Sequence, residues 1–282
     1  MLQDHAPIGI ALVRPAEIMG AEPYFHDLIA GIERVTLPHG YSVLLRVLSS
    51  HDSEVVTYEE WATDDKVSAV LLVDLAEGDH RPPLVQRLGL PAVIIGPPDH
   101  AGFTAVWTDD DEAMRDTVRR LAALGHSSIL HVGGPADLTH SRRRRASFTQ
   151  TCAEVSAQPY YGAGDYSRAS GIAAMESVFA GDERPSAAIF DSDLMALAAL
   201  DAARDAGLVV PQDLSIVSWN DSALCQLSTP PLSAVARDAQ AVGQLAGEAV
   251  LDLLRGGQPK LLHGTPAVLV ERGSTGEAVT LP

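Results

Sequence analysis

The sequence predicts an α/β protein built as two doubly wound parallel-sheet lobes. Three observations carry that expectation. Short apolar runs alternate with segments of helical periodicity along almost the whole chain, an order that requires parallel pairing, right-handed crossovers and helices on both sheet faces. Several runs, such as residues 69–73, are continuously apolar, which marks strands buried on both sides. The length of 282 residues supplies two domains' worth of chain at about 150 residues each.

Residues 8–13 form the first apolar run, and 24–35 follow with Leu28, Ile29, Ile32 and Val35 at helical spacing before Pro38-His39-Gly40. A strand is predicted at 41–48, a helix at 53–62 and a strand at 69–73. A short helix at 84–88 stands behind Pro82-Pro83, then strands at 92–95 and 105–107. Asp110 is read as the cap of the next helix, whose apolar face is Met114, Val118, Leu121 and Ala122. The alternation continues through a strand at 128–132, a helix at 141–154, an extended piece at 158–161 and a helix at 167–179. After it come a strand at 187–190, a helix at 194–206 and a strand at 214–219. Asp238 caps the clearest helix, with Val242, Leu245, Ala246, Ala249, Val250 and Leu253 on one face before Gly256-Gly257. The tail, 261–271, reads as extended.

Composition excludes several classes. Twenty Lys+Arg against 37 Asp+Glu give a net charge of −17, and so acidic a surface repels phosphate backbones. Cys152 and Cys225 are too few for a disulfide framework and lack zinc-finger spacing, which fits a reducing cytoplasm. Met1-Leu2-Gln3-Asp4-His5 does not read as a secretory signal, and no apolar run approaches the ~20 residues of a membrane helix. The segment Arg14-Pro15-Ala16-Glu17-Ile18-Met19-Gly20 after the first strand lacks the G-x-G-x-x-G of a dinucleotide enzyme. No phosphate loop, G-x-S-x-G elbow or H-E-x-x-H pair occurs. No enzyme activity, cofactor or metal is therefore expected.

Specific residues then accumulate in one register. Leu124-Gly125-His126 leads into Ile129-Leu130-His131-Val132-Gly133-Gly134-Pro135. Pro23-Tyr24-Phe25 opens a helix containing Gly31-Ile32-Glu33, and Gly207-Leu208-Val209-Val210-Pro211-Gln212-Asp213-Leu214 precedes a strand. Thr229-Pro230-Pro231-Leu232-Ser233 and Glu271-Arg272-Gly273-Ser274-Thr275 close the series. Together they resemble the effector domain of the lactose-repressor (LacI/GalR) family of transcriptional regulators. The resemblance implies a periplasmic-binding-protein-like type I fold with an interlobe cleft for a small sugar or sugar-like effector, which modulates DNA binding by preferring one lobe arrangement over the other. Its lobes would be 6–108 plus 237–265 and 109–236 plus 266–282. It implies a cytoplasmic homodimer that meets its DNA operator through an N-terminal helix-turn-helix headpiece. Only seven residues precede the first strand, too few for such a headpiece, so the chain is expected to be the effector domain without it. The alternative is the solute-binding protein of a sugar transporter, which shares the fold.

The same resemblance nominates site residues. Four residues before Phe148 stands Arg144, matching the family's arginine that holds ligand oxygens with a fixed fork of donors. Its neighbours Arg142, Arg143 and Arg145 point elsewhere at helical spacing. Asn220 matches an aspartate that ties sugar hydroxyls in many members, and an amide both donates and accepts. With Arg237 nearby, that loss of a negative charge points to an anionic or carbonyl-bearing sugar derivative. Asp221 is read as structural. Tyr166 either stacks on the ligand or covers a helix start. Tyr24 and Phe25 stand at the cleft edge or plug the core, and Phe190 ends a strand beneath the cleft. Ser192 and Asp193 either bind or cap the following helix.

Overall fold

The computed structural model describes residues 5–15, 23–180 and 184–279. The reading of the N-terminal residues 1–4, and of residues 16–20 after the first strand, lies outside them. In chain order the elements are β1 (Ile8–Val13), α1 (Pro23–Thr36), β2 (Val43–Leu48), α2 (His51–Thr63), β3 (Ala69–Leu72), α3 (Arg81–Arg87), β4 (Ala92–Ile95) and β5 (Thr104–Trp107). There follow α4 (Asp110–Ala123), β6 (Ser128–Gly133), α5 (Thr139–Glu154), β7 (Gln158–Ala163), α6 (Arg168–Ala180), β8 (Ala187–Phe190) and α7 (Asp193–Asp205). The last elements are β9 (Ser215–Trp219), α8 (Ala223–Leu227), β10 (Ser233–Ala236), α9 (Ala239–Leu254), β11 (Leu261–His263) and β12 (Val268–Val270).

The chain divides into two compact units, one drawn from Met1–Thr108 and Asp238–Thr265, the other from Asp109–Arg237 and Pro266–Pro282. In the first, a six-stranded sheet runs β11-β5-β4-β3-β1-β2, all its pairs parallel. Strand alternation sends Ile8, Ile10 and Leu12 to a core with Leu28 and Ile32 of α1 and Val242, Ala246 and Val250 of α9. Ala11, Val70 and Leu72 face the opposite core, with Tyr58 and Trp61 of α2 and Leu84 of α3. Helices α1 and α9 cross at glycines. A Cβ on Gly31 would lie 2.1 Å from the Gln240 carbonyl oxygen, and one on Gly243 2.1 Å from that of Leu28. Only hydrogen at both positions allows this approach.

The second unit repeats the plan in the order β12-β10-β9-β8-β6-β7, with only its edge pair β10–β12 antiparallel. Helices α4 and α5 cover one face, where Met114, Val118, Phe148 and Cys152 pack on Ile129, Ile189, Val217 and Trp219. Helices α6 and α7 pack together. The two doubly wound sheets are those the sequence predicts.

Local boundaries depart from the expectation where caps or prolines decide them. Helix α3 begins before Pro82-Pro83, because proline fits the first turn, where no backbone donor is needed. The cap of α4 is Asp109, whose Oδ1 accepts from the Glu112 N–H at 3.1 Å, so Asp110 is released for another role. The short α8 and β10 lie where the sequence pattern predicts no element. The extended tail divides into β11 in the first sheet and β12 in the second. Arg237, grouped by the sequence with the first lobe, belongs to the second unit, carried there by β10.

Candidate functional site

In doubly wound sheets ligands meet the carboxyl ends of the strands, where loops leave the ladder. In the second unit Gly134 lies just beyond β6, Asp191 follows β8, Asn220 follows β9 and Arg237 follows β10. The sheet aligns these residues because its strands are in parallel register, Val132 beside Phe190 and Phe190 beside Ser218. Over them stand the first turn of α4, with Asp110, and the second turn of α5, with Arg144.

Arg144 is the inward member of its arginine run, on the α5 face with Ser141, Ser147, Phe148 and Thr151. It is 3% exposed. Its Nε donates to Asp110 Oδ2 at 2.9 Å and Nη2 donates to the same oxygen. Nη1 lies 3.6 Å from Asp191 Oδ2, and the guanidinium carbon sits 4.4 Å from the centroid of the Trp219 ring it covers. Of its neighbours, Arg143 pairs with Asp111 at 2.6 Å and Arg145 covers Tyr161.

Arg237 closes the other side. Its Nη2 and Nε donate to Asn220 Oδ1 at 2.8 and 3.1 Å, and its Nη1 reaches Asp110 Oδ2 at 3.5 Å. Asn220 adopts φ +74°, a left-handed conformation that asparagine tolerates better than most residues. Asp221 beside it pairs with Arg272 through both oxygens, at 2.8 and 2.6 Å, a structural role.

Electrostatics follow from this packing. Burial by itself raises the Asp110 carboxyl, but Arg144 and Arg237 outweigh it and hold the group below the ordinary carboxylate range. Asp191 is likewise raised by burial and more than compensated by His131, Arg144 and the Gly134 N–H, which hold it well below that range. Two buried aspartates thus stand against Arg144 and Arg237 in this cluster.

Tyr166 is buried at φ +69°, its hydroxyl 2.8 Å from His140 Nε2 and 3.1 Å from Ser141 Oγ. It lies over Gly134, where a Cβ would meet the tyrosine oxygen at 2.2 Å. Ser192 caps α7, accepting from the Met195 N–H at 3.3 Å. Asp193 Oδ1 accepts from the Leu194 N–H at 2.9 Å, and burial pushes its carboxyl up. Phe190 is wholly buried. Tyr24 and Phe25 belong to the first unit: Phe25 lies in the core of the α1 face, and Tyr24 packs edge-on against it at 5.4 Å. The structure therefore joins Arg144, Asn220 and Arg237 in one network through Asp110, and sets Tyr166 and Ser192 together at 3.5 Å.

Asp110, Asp191 and His131 are not marked by the sequence as parts of this network. By pattern alone Asp110 reads as a cap. Two signals were available: a histidine inside an apolar strand run, and a charged residue directly after Ala187–Phe190.

This fold, with its polar cluster at the strand ends, is that of a periplasmic-binding-protein-like domain, and a family profile described as "Periplasmic binding protein-like domain" matches residues 118–275. The sequence is 28% identical over 252 residues to the HTH-type transcriptional repressor CytR of Escherichia coli (strain K12), covering 83% of this chain and 70% of that protein. A LacI family transcriptional regulator from Bifidobacterium animalis subsp. lactis superposes with a TM-score of 0.89 at 32% identity, over 98% of this chain and 100% of that one. A structure described as a transcriptional regulator CelR–cellobiose complex gives a TM-score of 0.85 at 25% identity, over 96% and 85%. The chain belongs to the LacI family of transcriptional regulators. Among the described residues no helix is long and apolar enough to cross a membrane.

Proposed function

We propose that this domain senses a neutral, polyhydroxylated effector, a sugar or sugar derivative, held at the carboxyl ends of the second sheet. The observation that carries the reading is Asp110 Oδ1, a buried acceptor with no hydrogen-bond partner among the described residues. It sits on a carboxylate kept ionised by Arg144. A guanidinium has five N–H donors, and Asp110 does not use them all. A carboxylate oxygen that needs a donor, beside an arginine with donors to give, suits adjacent hydroxyls, each of which donates and accepts. The balance of Asp110 and Asp191 against Arg144 and Arg237 favours a neutral ligand over an anion. The related regulator described as a cellobiose complex supports the sugar reading.

The grip itself is the output, with no bond-making step. The effector shifts the DNA-competent state of the whole regulator by as much as it prefers one arrangement over the other. The protein acts as a cytoplasmic homodimer. Its second unit presents Leu224 and Leu227, 46% and 80% exposed, beside Leu197 and Leu200 and the Arg168–Asp201–Arg204 ion pairs. An apolar face rimmed by paired charges suits a self-complementary contact.

Calorimetric titration of the chain with cellobiose, ribose and glucuronate tests the ligand class. Saturable binding of a neutral sugar, weakened about tenfold or more by Asp110→Asn, is expected. Binding of glucuronate alone, or an Asp110→Asn variant that binds as the parent does, overturns it.

A further inference from the structure

We propose that Asp191, seated by His131, is a positioning residue that fixes the orientation in which Arg144 meets the effector; the proposal rests on reading Arg144 as an effector contact. Strand β6 runs inside the sheet between β7 and β8, and Ile129 through Val132 are all buried. Register puts His131 beside Ile189, on the face where Ile129, Ile189, Val217 and Trp219 meet α4 and α5. An imidazole in such a layer needs a polar partner to offset its burial. It has one: His131 Nε2 lies 3.0 Å from Asp191 Oδ1, while its ring leans on Phe148 at 5.1 Å.

The pair fixes a carboxylate plane. His131 occupies Oδ1, and the Gly134 N–H donates to Oδ2 at 3.2 Å. Oδ2 is thereby kept towards Arg144 Nη1, 3.6 Å away, and cannot swing into a second bidentate pair. Arg144 is consequently restrained at three places. Asp110 holds the Nε–Nη2 edge, Trp219 sets the plane from below, and Asp191 stops the Nη1 corner. Edge and face alone leave the guanidinium free to slip within its plane. The third point removes that freedom, so the remaining N–H donors leave the arginine in one direction. Selectivity among hydroxyl arrangements then depends on two residues that lie beneath the arginine, Asp191 and His131, each nearly inaccessible to solvent.

The test uses the whole chain with 15N-labelled arginine, the Arg144 Nε–Hε signal being assigned by its loss in Arg144→Lys. In the parent, hindered rotation keeps the Nη signals of Arg144 separate. Asp191→Asn and His131→Leu are expected to shift the Nε–Hε signal and merge the Nη signals. His131→Gln, which retains a donor for Asp191, restores the parent pattern. For whichever of cellobiose or ribose binds the parent, the dissociation constant rises about tenfold in the first two variants and recovers in His131→Gln. The proposal is overturned if Asp191→Asn leaves the Arg144 signals unchanged, or if Leu and Gln at position 131 act alike, which would make the histidine mere packing. Should His131→Leu not fold, Asp191→Asn and His131→Gln decide. If neither sugar binds the parent, the sugar reading fails while the arginine spectra still test the positioning.

Discussion

The Asp110–Arg144 pair offers a quantitative test of the buried network. Each side chain is 3% exposed, so neither charge is relieved by solvent if its partner is lost. Replacing Arg144 with methionine keeps the length but leaves Asp110 with Arg237 at 3.5 Å and Asp191 with His131 and the Gly134 N–H. Breaking a buried pair in this way costs about 3–5 kcal/mol. Asp110→Asn is milder, because an amide oxygen still accepts from Arg144, and a lost charged hydrogen bond costs about 1.5–3 kcal/mol. In the double variant no carboxylate is stranded at position 110. Its loss therefore falls short of the sum of the single losses, by about 1.5–3 kcal/mol. Urea denaturation of the four proteins, followed by circular dichroism, measures the cycle. Losses that add to within about 0.5 kcal/mol would mean that the two groups do not feel each other, and the site geometry derived above would be wrong.

Three further outcomes are expected. Asp110 and Asp191 have folded-state pKa values below the ordinary carboxylate value, so their stabilisation is complete above that value and is lost as pH falls through the folded ones. Thermal melts should accordingly fall steeply below about pH 4, and less steeply in Asp191→Asn. Gly243→Ala must move the Leu28 carbonyl oxygen from a 2.1 Å contact. Overpacking of about 1–3 kcal/mol set against a helix-propensity gain of about 1 kcal/mol leaves a net loss of up to about 2 kcal/mol, and a variant more stable than the parent contradicts the close crossing. Leu227→Arg should turn a dimer into a monomer in sedimentation velocity without changing the fold, and a monomeric parent removes the assembly reading.

Hydrophobic pattern is a local property, and what depends on it was legible. Ile8, Ile10 and Leu12 alternate because a strand alternates, and Val242, Ala246, Ala249 and Val250 recur because a helix turns, so the order of elements could be written from the chain. The choice of Arg144 within its run rests on the resemblance, which matches it to the family's arginine four residues before an aromatic, here Phe148. The partners of Arg144 were not legible. Asp110 stands 34 residues away, His131 and Asp191 are 60 apart, and Arg237 is 127 from Asp110. An aspartate opening a helix reads as a cap, and a histidine in a strand reads as a stray. The sequence by itself determined the two α/β units and, through its resemblance, nominated Arg144; the tertiary structure decided that this arginine is held between two carboxylates over a tryptophan. The reason is that charge interactions depend on distance through space, and those distances are set by sheet register and by the packing of α4 and α5, which no local pattern contains.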